Sequence, residues 1–157
     1  MALSADPYFR AFRTRDLDAV GPWLRDAGWG VPESMSHKVW GQRVEQDPRI
    51  VCRVACLGDE AVGLYRLDLA PDHDAELTIV VAPASRRRGI GLAILAAAQH
   101  QARQLELRGI VALVQRDNWP GRHFFAKAGF VSEPCEVPGH VRFRISVWHQ
   151  RPVNPAP

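Results

Sequence analysis

Apolar and polar positions change period several times along the chain, and each change marks an element. Tyr8 to Arg13 alternates and predicts a first strand. Thr14 then offers an N-cap, and Asp16 and Asp18 suit a helix first turn. Leu17, Val20, Trp23 and Leu24 recur at helical spacing, and Gly28 and Gly30 stop that helix. A second helix is expected from Pro32 to Gln46, ending before Pro48. Ile50 to Leu57 reads as a strand, Gly58-Asp59-Glu60 as a turn, and Ala61 to Leu69 as the returning strand. Pro71 to Asp74 is polar and turn-like, and Ala75 to Val81 is another strand, ended by Pro83.

The pattern then lengthens. Ile90 to Leu107 predicts a long apolar helix, with Leu92, Leu95, Ala98, Ala102 and Leu105 as its core stripe and Gly109 closing it. Ile110 to Val114 is a continuous apolar run, hence a buried strand. Asn118 to Ala128 reads as a short helix that stops at Gly129, and His140 to His149 as a final strand. Strands first, then alternating strands and helices, make an α/β fold on a mixed sheet. No repeat or linker divides the chain. Residues 1–150 read as a single domain, and the proline-rich residues 151–157 as a flexible tail.

Composition narrows the class. The 157 residues are 46% hydrophobic and 24% charged, which fits a globular chain and excludes disordered and fibrous classes. No apolar run approaches the ~20 residues of a membrane span. The segment Met1 to Arg10 lacks the basic-then-apolar layout of a signal peptide, so a cytoplasmic location is expected. Twenty basic against seventeen acidic residues leave +3, too mild a charge to argue for nucleic acid. The three cysteines, Cys52, Cys56 and Cys135, argue against a disulfide framework. Cys52 and Cys56 read as small buried apolar residues, and no partner ligands at metal spacing accompany them.

One stretch carries chemistry. Val80-Val81-Ala82-Pro83-Ala84-Ser85-Arg86-Arg87-Arg88-Gly89-Ile90-Gly91 joins a strand to a helix. Gly89 and Gly91 remove the Cβ atoms that would hold a ligand off the backbone. The free N–H groups of the helix's first turn, its dipole and three arginines favour an anion there. A P-loop would need a lysine after the second glycine, and a dinucleotide fingerprint would need a third glycine where Ile94 stands. A tight turn with solvated arginines is the alternative reading of the same residues.

Arg86-x-x-Gly89-x-Gly91, after a strand and before a long helix, resembles the acyl-CoA-binding signature of the GCN5-related N-acetyltransferases. Asn118, then Phe124-Phe125, then Gly129-Phe130 resembles that family's second motif. The resemblance covers Ala75 to Val131; before Ala75 only the order of elements agrees. It implies a mixed, mostly antiparallel sheet of about six to seven strands flanked by about four helices, splayed between the fourth and fifth strands. It implies that acetyl-CoA is the cosubstrate, with no metal. The amides near Arg86, Arg87, Arg88, Gly89, Ile90, Gly91 and Leu92 would hold its pyrophosphate. The backbone of Ile79, Val80 and Val81 would pair with the pantetheine arm, and Asn118 and Phe125 would contact the cofactor. The reaction implied is direct transfer of acetyl to an amine in a ternary complex, with no covalent acyl-enzyme. Relatives often dimerise, and a homodimer is compatible with the resemblance.

Two positions depart from the family. Phe125 stands where many members carry a tyrosine that protonates the departing thiolate, so it is expected to be a wall instead of an acid. Leu113 stands where members acting on protein N-termini carry a glutamate. A base is still useful, because a lysine-like amine has a pKa of ~10.4. Glu76, on the strand that feeds the loop, is the first candidate. Asp68, Asp72, Asp74 and Glu76 together suggest a negative rim and a cationic acceptor, a small molecule or a peptide. His73, His123 and His140 are further proton carriers by type, while Trp29 and Trp40 suit either packing or the acceptor site. The missing tyrosine keeps a second function in view, a non-catalytic acyl-CoA-binding sensor or interaction module.

Overall fold

The structure is a computed structural model that describes residues 6–26 and 37–147. Seven strands form one sheet in the order β1-β2-β3-β4-β5-β7-β6. In chain order they are β1 (Tyr8–Ala11), β2 (Ile50–Leu57), β3 (Glu60–Leu69), β4 (Asp74–Val81), β5 (Gly109–Gln115), β6 (Val131–Glu133) and β7 (His140–Ser146). The helices are α1 (Leu17–Asp26), α2 (His37–Gln46), α3 (Ile90–Gln104) and α4 (Trp119–Lys127). The mixed, mostly antiparallel sheet with four helices is the architecture expected above. The expected stop at Gly28 and Gly30, Trp29, the opening of the second helix at Pro32, the close of the last strand at His149 and the 151–157 tail lie outside the described residues. No described helix is long and apolar enough to cross a membrane.

The chain forms two compact units, one of residues 1–69 and 77–98, the other of residues 70–76 and 99–157. In the first, Phe12, Val20, Leu24, Val44, Cys52, Val54, Cys56, Leu64 and Val80 make a buried core. The α1 stripe arises from the helical spacing of Val20 and Leu24, with Leu17 and Trp23 packed beside them. Trp40 of α2 meets Phe12 edge-on at 5.6 Å. Cys52 and Cys56 are buried, and burial pushes the Cys52 thiol up to about 12. The expected Thr14 cap is not what opens α1. A 3₁₀ turn over Thr14–Asp16 precedes the helix, and Asp16 accepts from the Arg13 N–H at 2.8 Å. Asp16 is buried and gripped by the Arg10 guanidinium at 2.7 and 2.9 Å. The Asp16 N–H that a Thr14 hydroxyl could take donates instead to Arg13 O at 2.8 Å. Burial would push the Asp16 carboxyl up, but the Arg10 and Arg13 bonds outweigh it and hold it below the ordinary 3.8.

In the second unit, the end of α3 departs from expectation. The helix stops at Gln104, and Glu106 takes the left-handed position at φ 55°. Leu107 N–H donates to Ala102 O and Glu106 N–H to Arg103 O, closing a Schellman motif. Gly109 therefore does not cap the helix; it opens β5. Leu105 is 37% exposed and Leu92 is 60% exposed, so neither belongs to the core stripe. Ile94, Leu95, Ala98 and Ala102 do, at a strict i, i+4 rhythm for Ile94, Ala98 and Ala102.

Gly109 has its own task. β5 runs parallel to β4 over three pairs only, Asp74↔Gly109, Ala75↔Ile110 and Glu76↔Val111. A Cβ on Gly109 would collide with the Arg144 guanidinium, lying 2.6 Å from Cζ and 2.9 Å from Asp74 Oδ1. Arg144 bonds Asp74 at 3.1 and 3.3 Å, which draws β4 and β7 together over the bare backbone of β5. Gly109→Ala should displace the guanidinium and cost about 1–3 kcal/mol. The Tm should fall by roughly 2–4 °C per kcal/mol. The same change in an Arg144→Met background should cost much less if the clash is with the ion pair. An equal loss in both backgrounds would place the strain elsewhere. Asp16, held low, supports the fold above its unfolded value and loses that support as pH falls through its folded value. Thermal melts of Asp16→Asn should show a deficit at pH 7 that closes as pH drops below about 4.

Candidate active site: an amide-rich turn at the start of α3

The loop after β4 is built from backbone first. Ala82 N–H donates to Val62 O at 2.8 Å, fastening the end of β4 to β3. Gly63 of β3 permits this approach, since a Cβ there would lie 2.7 Å from Val80 O and 2.6 Å from Ile94 Cδ1. A 3₁₀ turn over Pro83–Ser85 follows, with Ser85 buried. Arg86 is extended, Arg87 is left-handed at φ 62° and Gly89 at φ 78°. α3 then begins at Ile90.

This path exposes donors. Ala93 N–H reaches Gly89 O at 3.1 Å. Before it, the amides of Arg87 through Leu92 have no backbone acceptor among the described residues. A Cβ placed on Gly89 would meet nothing within 4 Å, so the backbone there is open to a ligand. Glycine is required at Gly89 by conformation, and its lack of a side chain leaves the approach clear. Arg87 adopts the same left-handed region with a side chain, a strain that collects at functional turns. Arg86, Arg87 and Arg88 are exposed, and Arg87 and Arg88 form no ion pair among the described residues. Six amides without a backbone acceptor, a helix N-terminus and exposed arginines suit a diphosphate.

The remaining candidates fall as follows. Ile79 and Val81 are half-buried on one side of β4, and Val80 is buried in the core on the other. β5 pairs only with Asp74–Glu76, so the ladder does not extend along Ile79–Val81. Glu76 is exposed at the last rung of that ladder. Asn118 caps α4, its Oδ1 accepting from Gly121 N–H at 3.1 Å. Gly121 leaves room for it, because a Cβ there would lie 2.7 Å from Asn118 Nδ2. Phe125 is buried in an aromatic cluster, 5.1 Å from Phe124, 5.0 Å from Phe130 and 6.2 Å from Phe143 between ring centres.

The acidic group is partly neutralised. Asp68 takes two bonds from Arg66, at 2.8 and 2.7 Å, and Asp74 is held by Arg144. Asp72 accepts the Asp74 N–H at 3.1 Å, as an Asx turn does. His73 is exposed and left-handed, His123 is exposed, and His140 Nδ1 lies 2.9 Å from Pro138 O. Among the described residues no three His, Cys, Asp or Glu side chains gather as a metal set. Two features escaped the sequence reading: the Asp74–Arg144 clamp, whose members are 70 residues apart, and an exposed Trp119 with Arg122 stacked on it. The second had a signal, an aromatic residue and a cation at i, i+3 on a helix.

The match to known proteins agrees with this geometry. The family model described as acetyltransferase (GNAT) family matches residues 14–130, and the chain belongs to that family. The match extends well before Ala75, where the motifs gave no purchase. The protein is therefore an acetyltransferase of that family. No curated protein sequence matches the chain. Among solved structures it is similar to PaiA N-acetyltransferase from Thermoplasma acidophilum in complex with coenzyme A. That likeness has 19% identity and a TM-score of 0.78, and covers 90% of this chain and 99% of that one. It is also similar to spermidine N-acetyltransferase from Vibrio cholerae in complex with CoA and spermine, at 19% identity, 90% and 96% coverage and a TM-score of 0.76. A third likeness is to the ribosomal-protein-S18-alanine N-acetyltransferase from Escherichia coli, at 16% identity, 94% and 97% coverage and a TM-score of 0.74. At these identities the likeness is one of fold.

Gly89→Val adds a branched side chain at φ 78°, where it is both strained and in the ligand's path. CoA affinity should fall about tenfold or more, the loss of one or two charge-assisted bonds of roughly 1.5–3 kcal/mol each. Arg87→Ala leaves the amides in place and should cost clearly less. Calorimetric titration of both variants, with circular dichroism to confirm the fold, checks the order. Equal affinity in all three proteins would move the diphosphate site away from this turn.

Proposed function

We propose that this enzyme moves the acetyl group of acetyl-CoA onto the primary amine of a cationic small molecule or peptide, by direct attack within a ternary complex. The observation that carries this reading is the run of acceptor-less amides from Arg87 to Leu92 at the start of α3. The amides are proposed to hold the donor's diphosphate, and the backbone of Ile79–Val81 its pantetheine arm. Asn118 uses only its oxygen in the helix cap, which leaves Nδ2 as a proposed donor to the cofactor.

The amine nitrogen attacks the thioester carbonyl carbon. A C–N bond forms, the C–S bond breaks, the nitrogen gives up a proton and the CoA thiolate leaves. Glu76 is proposed as the base that takes the amine proton. Phe125 has no proton to give, so the thiolate takes its proton from solvent. The rigid aromatic cluster around Phe125 supports its proposed part as a wall. Positioning the amine against the carbonyl supplies much of the rate in such a reaction.

The case for a cationic acceptor rests on the carboxylates before and within β4. It is weaker than four carboxylates would make it, because Asp68 and Asp74 each carry an arginine partner. Thiol release from acetyl-CoA should be followed across polyamines, aminoglycosides, amino acids and peptides. A cationic acceptor is expected to lead, with a kcat/KM that falls modestly as salt rises past 0.1 M, where the Debye length is ~10 Å. Preference for an anionic acceptor would overturn the rim. CoA binding with no acceptor-dependent release would favour the sensor reading. Glu76→Gln separates the two roles of that residue: loss of a limb in the pH profile of kcat marks a base, and a change in KM alone marks a rim.

A further inference from the structure

Glu76 stands in one cross-strand row with Val111 and Arg144, because Glu76 pairs with Val111 and Val111 with Arg144. Paired residues turn their side chains to the same face of a sheet. Glu76 and Arg144 therefore face the same side, two strands and about 10 Å apart along the backbone row. An arginine and a glutamate can close that span between them, with the arginine stem lying over the valine. The guanidinium instead leans one row along, over the bare backbone of Gly109. Its Nε and Nη2 donate to Asp74 at 3.3 and 3.1 Å, and its Nη1 donates to Ser146 Oγ at 3.3 Å. Asp74, Gly109 and Ser146 make up that next row, so all three nitrogens are turned to it. The charges nearby have other partners. Arg142 Nε donates to Glu133 at 3.1 Å, and Asp72 accepts the Asp74 N–H. On β3, which flanks β4 on its other side, Arg66 and Asp68 bond each other. β5 brings only Gly109, Val111 and Leu113 to this face.

We propose that Asp74 is a positioning residue for the base: it holds the Arg144 guanidinium off Glu76, so that the Glu76 carboxylate keeps its affinity for a proton. A carboxylate beside a guanidinium binds a proton less well, and takes one from an amine less readily. Gly109 belongs to the device, since a Cβ there would collide with the guanidinium on its way to Asp74. The idea rests on Glu76 being the base, and the two are tested apart. The Glu76 carboxyl is titrated by carbon-13 NMR, its signal assigned by its loss in Glu76→Gln. The proteins are the wild type, Asp74→Ala, Arg144→Gln and the double variant. Asp74→Ala releases the cation and should lower the Glu76 pKa by about one unit, the low end for an opposite charge drawn close. Arg144→Gln breaks the same ion pair and removes the cation, so it should leave Glu76 near its wild-type value. The double variant should match Arg144→Gln. Asp74→Asn covers the case in which the alanine variant does not fold, and should shift Glu76 the same way by less. An unmoved Glu76 in the Asp74 variants overturns the proposal. So does a drop that persists in the double variant relative to Arg144→Gln, because Glu76 would then be feeling only the lost Asp74 charge. A pH profile of kcat unchanged in Glu76→Gln defeats the base reading, and the clamp's part in catalysis with it, whatever the titrations show.

Discussion

A chain that turns left-handed at Arg87 and again at Gly89 cannot satisfy its own amides, and the site grows out of that shortage. Elsewhere buried or constrained N–H groups find carbonyls, as in the Schellman close of α3 at Ala102 and Arg103. Between Arg87 and Leu92 they do not. The region meets this cost in water by being exposed, and on the proposed reading exchanges water for the donor's phosphate oxygens. The left-handed arginine adds a strain of order 1–3 kcal/mol. Its neighbours over-determine it: the turn over Pro83–Ser85 on one side, fixed to β3 through Ala82, and the first turn of α3 on the other.

A second constraint concerns where β4 stops being paired with β5. Parallel strands share evenly spaced bonds and have no intrinsic reason to stop after three pairs. Here the three pairs coincide with a cross-strand ion pair, Asp74 to Arg144, that passes over Gly109. The clamp binds the first rung from the side chains as the ladder binds it from the backbone. The two devices are independent in chemistry and agree in place, the kind of consistency that makes a register unique. Arg144 reaches Asp74 only because position 109 has no side chain.

Most of the fold was legible because its signals are local. Gly58 between two apolar runs, the apolar block at Ile110–Val114 and the Asn-to-Gly span of α4 each declare an element within ten residues or so. The misses share a cause. Thr14 looked like a cap because it precedes a helical stripe, yet a 3₁₀ turn comes first and the Asp16 N–H goes to the Arg13 carbonyl. Gly109 looked like a helix close because glycine favours the left-handed region, yet Glu106 adopts that region and Gly109 is spent on clearance for a side chain 35 residues later. Leu92 and Leu105 looked like core from their hydropathy, but they fall off the face that Ile94, Ala98 and Ala102 define. In each case a competing geometry overrode the residue's own preference. The shape of the turn before α3 was legible for the opposite reason, since a strand, a basic run, two glycines and a helix are all contiguous. The acceptor side was not, because it has no motif and its carboxylates take partners that only the fold reveals.

Phe125 brings these points to bear on the chemistry. In the family pattern its place belongs to a hydroxyl, and here three aromatic rings close around it. A tyrosine hydroxyl at that position would need a hydrogen-bond partner or pay the cost of its burial. Phenylalanine removes that demand and gives up the acid. The loss is tolerable for a thioester, whose thiolate leaves without prior protonation more readily than an amine or alkoxide. On the proposed mechanism the reaction leans on the groups that hold the donor and orient the amine, and on a carboxylate to take one proton. An enzyme arranged so should be more sensitive to changes in the α3 turn than to changes in any single proton-transfer residue, because positioning supplies a larger share of its barrier lowering than acid catalysis does.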